Sequence, residues 1–316
     1  MSVAPTLAPT VDPAAAYPEF ARLATALRDL DWDGVRAVVD GQEPAARTRL
    51  IRLAGELSEG GVLPRPRLTA EPGDTLAAAL LAGRRIKTAW DIRTGARAAD
   101  VSRDQFDRFH AILRTAEQLL IDAAAYDPSD PAVWVQRLVT ARGLGLGQSE
   151  ARRRYDRLSE YDPHHLPGQS QLLQQIAPKW GGSLETMHAF ARTQMLAAPE
   201  GAPNALLVLE AHLEHWLDLP GADQGRYFTD GRVREEIREA AARSVLHPAY
   251  RRTVGWVTVE NYFAFMFGMI DDEVAAARHF TAVGHLVSES PWEYLGNPLT
   301  VFTRRRDRAL RRGSAR

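Results

Sequence analysis

The chain has 316 residues, a formal net charge of -1, 45% hydrophobic residues and 25% charged residues. This is an ordinary globular composition, and the length favours two domains or an elongated repeat array over one compact core. The absence of cysteine excludes disulfides, thiolate nucleophiles and cysteine metal ligands. The near-zero net charge argues against a general nucleic-acid-binding protein.

The N-terminal segment lacks the basic and continuous apolar regions of a signal peptide. The longest apolar run, residues 262–270, is too short to cross a bilayer. We therefore expect a cytoplasmic protein with no membrane partner. Lysine occurs only at Lys87 and Lys179, and this arginine bias together with the many alanines indicates a GC-rich bacterial genome.

The pattern of the first hundred residues predicts a disordered tail followed by a helical region. Residues 1–12 are rich in alanine, proline and threonine and are expected to be disordered. Helical spacing of apolar residues begins near Tyr17 and continues with interruptions over residues 13–100. Residues 62–73 contain three prolines, which favours a linker or a long loop. A helix is predicted from Thr75 to about Trp90.

The helical pattern becomes regular over residues 101–316, which form either a second domain or one continuous solenoid with the region before them. Ser102 and Gln105 have capping-box spacing and predict a helix start. That helix should stop at Tyr126, because an Asp-Pro pair follows it. No segment shows sustained period-2 alternation, so the predicted fold class is all-α.

A repeat of about 35 residues is the strongest internal signal. The Asp-Pro pair at 127–128 recurs at 162–163, 35 residues later. Glu150 and Glu185 keep the same phase, and each is followed five residues later by an aromatic side chain. Such a period predicts one helix hairpin per repeat, with the glutamate in the first turn of its second helix.

This region resembles the tetratricopeptide family. The resemblance is carried by Trp134 on the first helix of a hairpin, Ala151 and Tyr155 on the second, and Pro163 at its end, and it covers about residues 102–218. It implies an α-α superhelix of tetratricopeptide-like helix hairpins.

The same resemblance implies a binding scaffold for a protein or peptide partner. Stacked helix hairpins form an extended concave groove, lined by the first helix of each pair. By analogy with the family, groove positions fall near Arg142, Gln174 and Glu210.

A second resemblance lies in the Pro-Lys-Trp-Gly-Gly-Ser segment at residues 178–183, together with Glu185, Met187 and Phe190. This segment is similar to one found in an uncharacterised bacterial family of domain-of-unknown-function proteins with helical repeats. That resemblance implies no known activity.

Sequence motifs for cofactors and metals are absent or misplaced. The chain has no phosphate loop, dinucleotide fingerprint, nucleophile elbow or HExxH motif, so no cofactor is expected. Glu185 and His188 have the Glu-x-x-His spacing of di-iron sites, and Asp107 with His110 is a weaker version. With Phe190 facing the core, helical geometry turns Glu185 and His188 towards solvent. The sequence therefore predicts no metal site.

His212 and His215 lie on the helix predicted over residues 203–218, away from the centre of its apolar stripe. Two interpretations stay open for them. They form either a solvated or inter-repeat pair, or a surface metal or pH-sensitive contact.

The segment 256–269 is apolar almost all round and predicts a helix buried on several sides. On one face, Trp256, Phe263 and Phe267 flank Glu260 at helical spacing. A carboxylate in that position costs several kcal/mol unless it is paired or protonated.

Two roles for this carboxylate follow. The structural one is an ion pair or hydrogen bond, with Arg251, Arg252 or a neighbouring helix as donor. The functional one is a raised-pKa carboxylate in an aromatic pocket formed by Glu260, Trp256 and Tyr262. The chain would then be an enzyme or a small-molecule binder of bacterial specialised metabolism.

Overall fold

A computed structural model describes residues 7–57, 62, 64–95 and 100–313. This part of the chain is all-α, as predicted, with 76% helix and no strand. It contains eighteen α-helices and three short 3-10 turns. Within it, no helix combines the length and the apolar character needed to cross a bilayer.

The α-helices, in chain order, are α1 (Pro13–Ala16), α2 (Pro18–Arg28), α3 (Trp32–Val39), α4 (Pro44–Glu56), α5 (Pro64–Ala70), α6 (Thr75–Arg93), α7 (Arg103–Tyr126), α8 (Pro131–Gly143), α9 (Gly147–Tyr161), α10 (Leu166–Gln175), α11 (Leu184–Ala197), α12 (Leu206–Asp218), α13 (Gly221–Tyr227), α14 (Gly231–Arg243), α15 (Trp256–Met269), α16 (Glu273–Val283), α17 (Glu289–Trp292) and α18 (Pro298–Gly313). The 3-10 turns are Pro178–Trp180, Pro203–Ala205 and Glu293–Leu295.

Local sequence determines both ends of α7. The hydroxyl of Ser102 accepts a hydrogen bond from the backbone N–H of Gln105, and the Gln105 side chain accepts one from the backbone N–H of Ser102. The helix ends at Tyr126, immediately before Asp127 and Pro128. Both the capping box and the proline stop were predicted, because each depends on residues a few positions apart.

The expected linker at 62–73 contains a helix instead. Pro64 begins α5, which continues to Ala70. Proline is well tolerated at the first helical position, where its missing N–H would have no intrahelical acceptor. Prolines at a helix start were therefore misread as helix breakers.

Disorder was expected for residues 1–12, but backbone hydrogen bonds hold the described part of this segment in place. The backbone N–H of Thr10 donates to the carbonyl of His285, and the N–H of Val287 donates to the carbonyl of Thr10. Residues 1–6 lie outside the described residues.

The chain divides into two compact units. The first unit comprises residues 18–176 and 180–182, and the second comprises residues 1–17, 177–179 and 183–316. The boundary predicted after residue 100 lies inside the first unit, between α6 and α7, which pack along each other.

In the first unit, a buried ionic cluster ties α7, α8 and α9 together. Arg137 and Arg154 contact the Glu117 carboxylate at 3.2 and 2.9 Å, and Thr140 donates its hydroxyl to it. Glu150, in the first turn of α9, also accepts a hydrogen bond from Arg154. These bonds satisfy charges that would be costly if buried alone.

In the second unit, α12 and α15 are the most deeply buried helices. Packing of α12 against α11, α14 and α15 covers most of its circumference. α15 packs mainly against α16 and is buried on nearly all sides, as its composition predicted. The packing around α12 produces the site described next.

Candidate functional site

Glu260 is buried as predicted, with 4% of its surface exposed. Its carboxylate lies 2.7 Å from Nδ1 of His279 on α16. Of the structural alternatives, the neighbouring helix is therefore the partner. Arg251 and Arg252 are exposed and turn to backbone carbonyls instead.

The three residues of the predicted aromatic pocket each have a separate partner. Trp256 lies under the guanidinium of Arg252, 4.0 Å from the ring centre. The hydroxyl of Tyr262 is 3.0 Å from that of Ser290, and burial raises its pKa. Because these partners lie on different segments from His279, the contacts do not join Glu260, Trp256 and Tyr262 into one site.

The predicted groove positions are distributed over both units. Arg142 donates to the backbone carbonyl and the side-chain oxygen of Gln171, at 3.2 and 2.7 Å. Gln174 is half-buried on α10 in the same unit. Glu210 is half-buried on α12 of the second unit. A shared groove for these residues stays a prediction.

A different set of side chains converges in the second unit, around two residues of α12. His188 of α11 and His215 of α12 approach with their Nε2 and Nδ1 atoms 3.0 Å apart. Nδ1 of His212 lies 2.8 Å from the hydroxyl of Tyr227, at the end of α13. The same hydroxyl lies 3.0 Å from Nδ1 of His215. Three imidazoles and a phenol thus contact one another across three helices.

A carboxylate completes this cluster. Glu236 of α14 places Oε2 3.1 Å from Nε2 of His212. His212 is 1% exposed, and its Nε2 makes no contact with hydrogen-bond geometry. A buried polar atom without a hydrogen bond is costly. An additional group that binds this nitrogen would remove that cost.

His188, His212 and Glu236 form a potential metal-ligand set. One donor atom from each lies within 4.8 Å of the others. Bonds of about 2.0–2.1 Å to a tetrahedral zinc ion place neighbouring donors about 3.4 Å apart. The 3.1 Å between His212 and Glu236 is already close to that separation. Binding of one ion by all three donors would require the more widely separated atoms to move closer together.

The electrostatics of His188 and Glu236 favour the protonation states that bind metals. Burial, followed by the charges of His212 and His215, lowers the pKa of His188 to about 4. The contact from His212, opposed by burial and reinforced by Arg232, lowers the pKa of Glu236 to about 2. His188 is therefore a neutral imidazole and Glu236 an ionised carboxylate at neutral pH, which are the forms that coordinate metal ions.

Two side chains hold the ligand set from outside. The Tyr227 hydroxyl meets Nδ1 of His212, the ring nitrogen opposite Nε2. Nε of Arg232 donates to Oε1 of Glu236 at 2.9 Å, which leaves Oε2 facing the histidine. Metal-binding histidines and carboxylates commonly have such outer partners, which orient the ligand atoms.

The cluster lines a cavity of about 730 Å³ between α11, α12, α13 and α14. Its wall combines the charged cluster with apolar side chains such as Leu184, Val208 and Val233. This volume is in the range of small-molecule binding sites.

The prediction that His188 faces solvent is wrong, although Glu185 is exposed as expected. The prediction assumed that only the side of α11 that carries Phe190 faces the core. Met187 and Ala191 are also buried, and His188 lies only about 60° from Ala191 at 100° per residue. The buried face is thus wide enough to include the histidine.

His212 was also misplaced, because α12 is covered on more sides than one apolar stripe indicates. Glu236 and Tyr227 were not identified, since neither has a motif that links it to the histidines. The usable signal was the presence of His188, His212 and His215 on two consecutive helices. No protein family, curated protein or solved structure matches the chain.

Proposed function

We propose that the chain binds a divalent transition-metal ion, zinc first among them, through His188, His212 and Glu236. The observation that carries the proposal is the convergence of three donors from three helices, one of them a buried nitrogen without a hydrogen bond. Two imidazoles and a carboxylate suit zinc, and three protein ligands leave a fourth position open. The same donors also fit ferrous iron, so metal identity is part of the test.

The proposed ion would act on a bound small molecule, in addition to holding the helices together. Structural zinc sites are usually closed by four protein ligands, whereas catalytic sites retain an exchangeable position. Here the donors line a cavity of about 730 Å³. A bound ion there would polarise an oxygen atom of a substrate or activate a water molecule.

The test is metal binding by the purified chain after treatment with a chelator. We expect one equivalent of zinc to bind the wild type, measured by calorimetry and elemental analysis, with manganese, cobalt and ferrous iron as parallel titrations. His188→Ala, His212→Ala and Glu236→Ala should each abolish stoichiometric binding. No binding of any of these ions by the wild type would refute the proposal.

His247→Ala is the matched control. His247 lies 3.3 Å from Glu200 in the same unit and forms a comparable histidine–glutamate pair outside the cavity. This variant should bind zinc like the wild type. Equal loss of binding in the control and the site variants would mean that the ion binds surface histidines.

The helical-repeat scaffold for a protein or peptide remains a prediction from the sequence. The alternative of an enzyme of specialised metabolism around Glu260 and the cytoplasmic location are also still predictions from the sequence. The contacts of Glu260 favour its structural role, because His279 satisfies the carboxylate.

A further inference from the structure

Three arginines of the first unit converge on a second cavity. Arg65 of α5 and the adjacent Arg84 and Arg85 of α6 line a space of about 590 Å³, which α7 borders on another side. The cavity has no aspartate or glutamate in its described lining. It lies in a different unit from the histidine cluster.

Backbone carbonyl groups orient two of these guanidinium groups. Nη1 of Arg84 donates to the carbonyls of Gly55 and Glu56, at 3.5 and 3.4 Å. Nη1 of Arg85 donates to the carbonyl of Thr115 at 3.1 Å. Each arginine uses only its own Nη1 atom for these bonds. Among the described residues, the other guanidinium N–H groups of Arg84 and Arg85 have no hydrogen-bond acceptor.

The absence of a counter-charge distinguishes this group from its neighbours. Among the described residues, no carboxylate lies within ion-pair distance of Arg65, Arg84 or Arg85. By contrast, Arg67, also on α5, pairs with both Glu71 and Asp74. Burial, followed by the charge of Arg65, lowers the pKa of Arg85.

The rest of the described lining is partly apolar. Leu81 is buried on α6, and Ile112 is half-buried on α7. A ligand of this cavity would contact both guanidinium groups and aliphatic side chains. Arginine recognises carboxylate and phosphate groups through paired N–H donors.

We propose that Arg65, Arg84 and Arg85 bind the phosphate or carboxylate group of a small molecule that also carries an apolar part. The charged group would sit between the guanidinium groups, and the apolar part would lie against Leu81 and Ile112. An anion there would relieve the repulsion among three like charges.

The experiment titrates the full chain with hexyl phosphate, hexanoate and inorganic phosphate by calorimetry. Hexyl phosphate or hexanoate should bind more tightly than inorganic phosphate, and the preference between the first two identifies the headgroup. Arg84→Gln and Arg85→Gln should each weaken binding roughly tenfold or more, because each removes charge-assisted hydrogen bonds. Arg85→Lys should recover part of this loss, since it restores charge without the planar fork.

Arg22→Gln is the control for the loss of one positive charge. Arg22 is exposed on α2 of the same unit and does not line the cavity. Its variant should bind the probes like the wild type.

Two outcomes would overturn the proposal. The first is no binding of any probe by the wild type, and the second is equal weakening by Arg22→Gln. Circular dichroism of each variant shows whether the fold is retained.

Discussion

Glu236 and Glu260 both face a histidine on a neighbouring helix of the second unit, yet their surroundings differ. Glu236 meets His212 beside a cavity, at a distance of 3.1 Å and without hydrogen-bond geometry. Glu260 meets His279 inside the core, at 2.7 Å and with hydrogen-bond geometry.

The neighbours of each pair explain the difference. Phe263 and Phe267 both stack beside His279, with ring centres 5.4 and 5.3 Å away. The two phenyl centres are themselves 6.4 Å apart, so both rings approach the imidazole from the same side. His212 instead has His188 5.0 Å away, ring centre to ring centre. A second ligand-type side chain thus lies beside one pair, whereas apolar aromatic rings lie beside the other.

A buried carboxylate is therefore an incomplete signal of function. In the Glu260–His279 pair, a hydrogen bond joins the carboxylate to Nδ1 of the histidine within the core, and Nε2 of His279 is buried without one. In the Glu236–His212 pair, more donor atoms converge than the pair itself requires. The excess of donors facing a cavity is the feature that indicates a ligand.

The largest expected contrast is in stability. Glu260→Ala should lower the free energy of unfolding by about 3–5 kcal/mol, because His279 loses its buried partner. Glu236→Ala should lower it by less, because that carboxylate is partly exposed and its arginine partner is mostly in solvent. Urea denaturation measures both. Equal losses would contradict the division into a structural and a ligand-binding pair.

The second contrast is the response of stability to metal. At a free zinc concentration of 100 times Kd, the free energy of unfolding should rise by about 2.7 kcal/mol, because the ion binds only the folded chain. The rise should disappear in His212→Ala and persist in Glu260→Gln. Zinc-dependent denaturation curves measure it, and persistence of the rise in His212→Ala would place the ion elsewhere.

Tyr227 tests the outer contacts of the ligand set. Tyr227→Phe should weaken zinc binding about 10- to 100-fold, because His212 loses the partner that orients its ring. Tyr262→Phe removes a buried hydroxyl near Ser290 and should leave the affinity unchanged. Competition with a chromophoric chelator gives both dissociation constants. Equal zinc affinities of Tyr227→Phe and the wild type would show that Tyr227 does not support the ligand set.

The smallest expected effect concerns Arg232. Its side chain is 87% exposed, so Arg232→Gln should change zinc affinity by about 0.2–1 kcal/mol, a few-fold at most. Arg226 lines the same cavity but pairs with Asp223, and Arg226→Gln should have no effect. A loss above tenfold for Arg232→Gln would assign it a direct role in ligand binding.

Local features of the fold were predictable from the sequence. The capping box of Ser102 and the stop before Pro128 depend on neighbours a few residues away. The burial of Glu260 was predictable too, since the composition of α15 alone indicates a helix covered on all sides. Its partner was not, because His279 lies on another helix, 19 residues further along the chain.

By itself, the sequence determined that the chain is helical, where several helices begin and end, and that one carboxylate is buried. Those properties arise from hydrogen bonds and apolar spacing within a few turns of helix. Only the tertiary structure decided that α11, α12 and α14 bring His188, His212 and Glu236 together. That convergence depends on how separate helices pack, which helical periodicity does not encode.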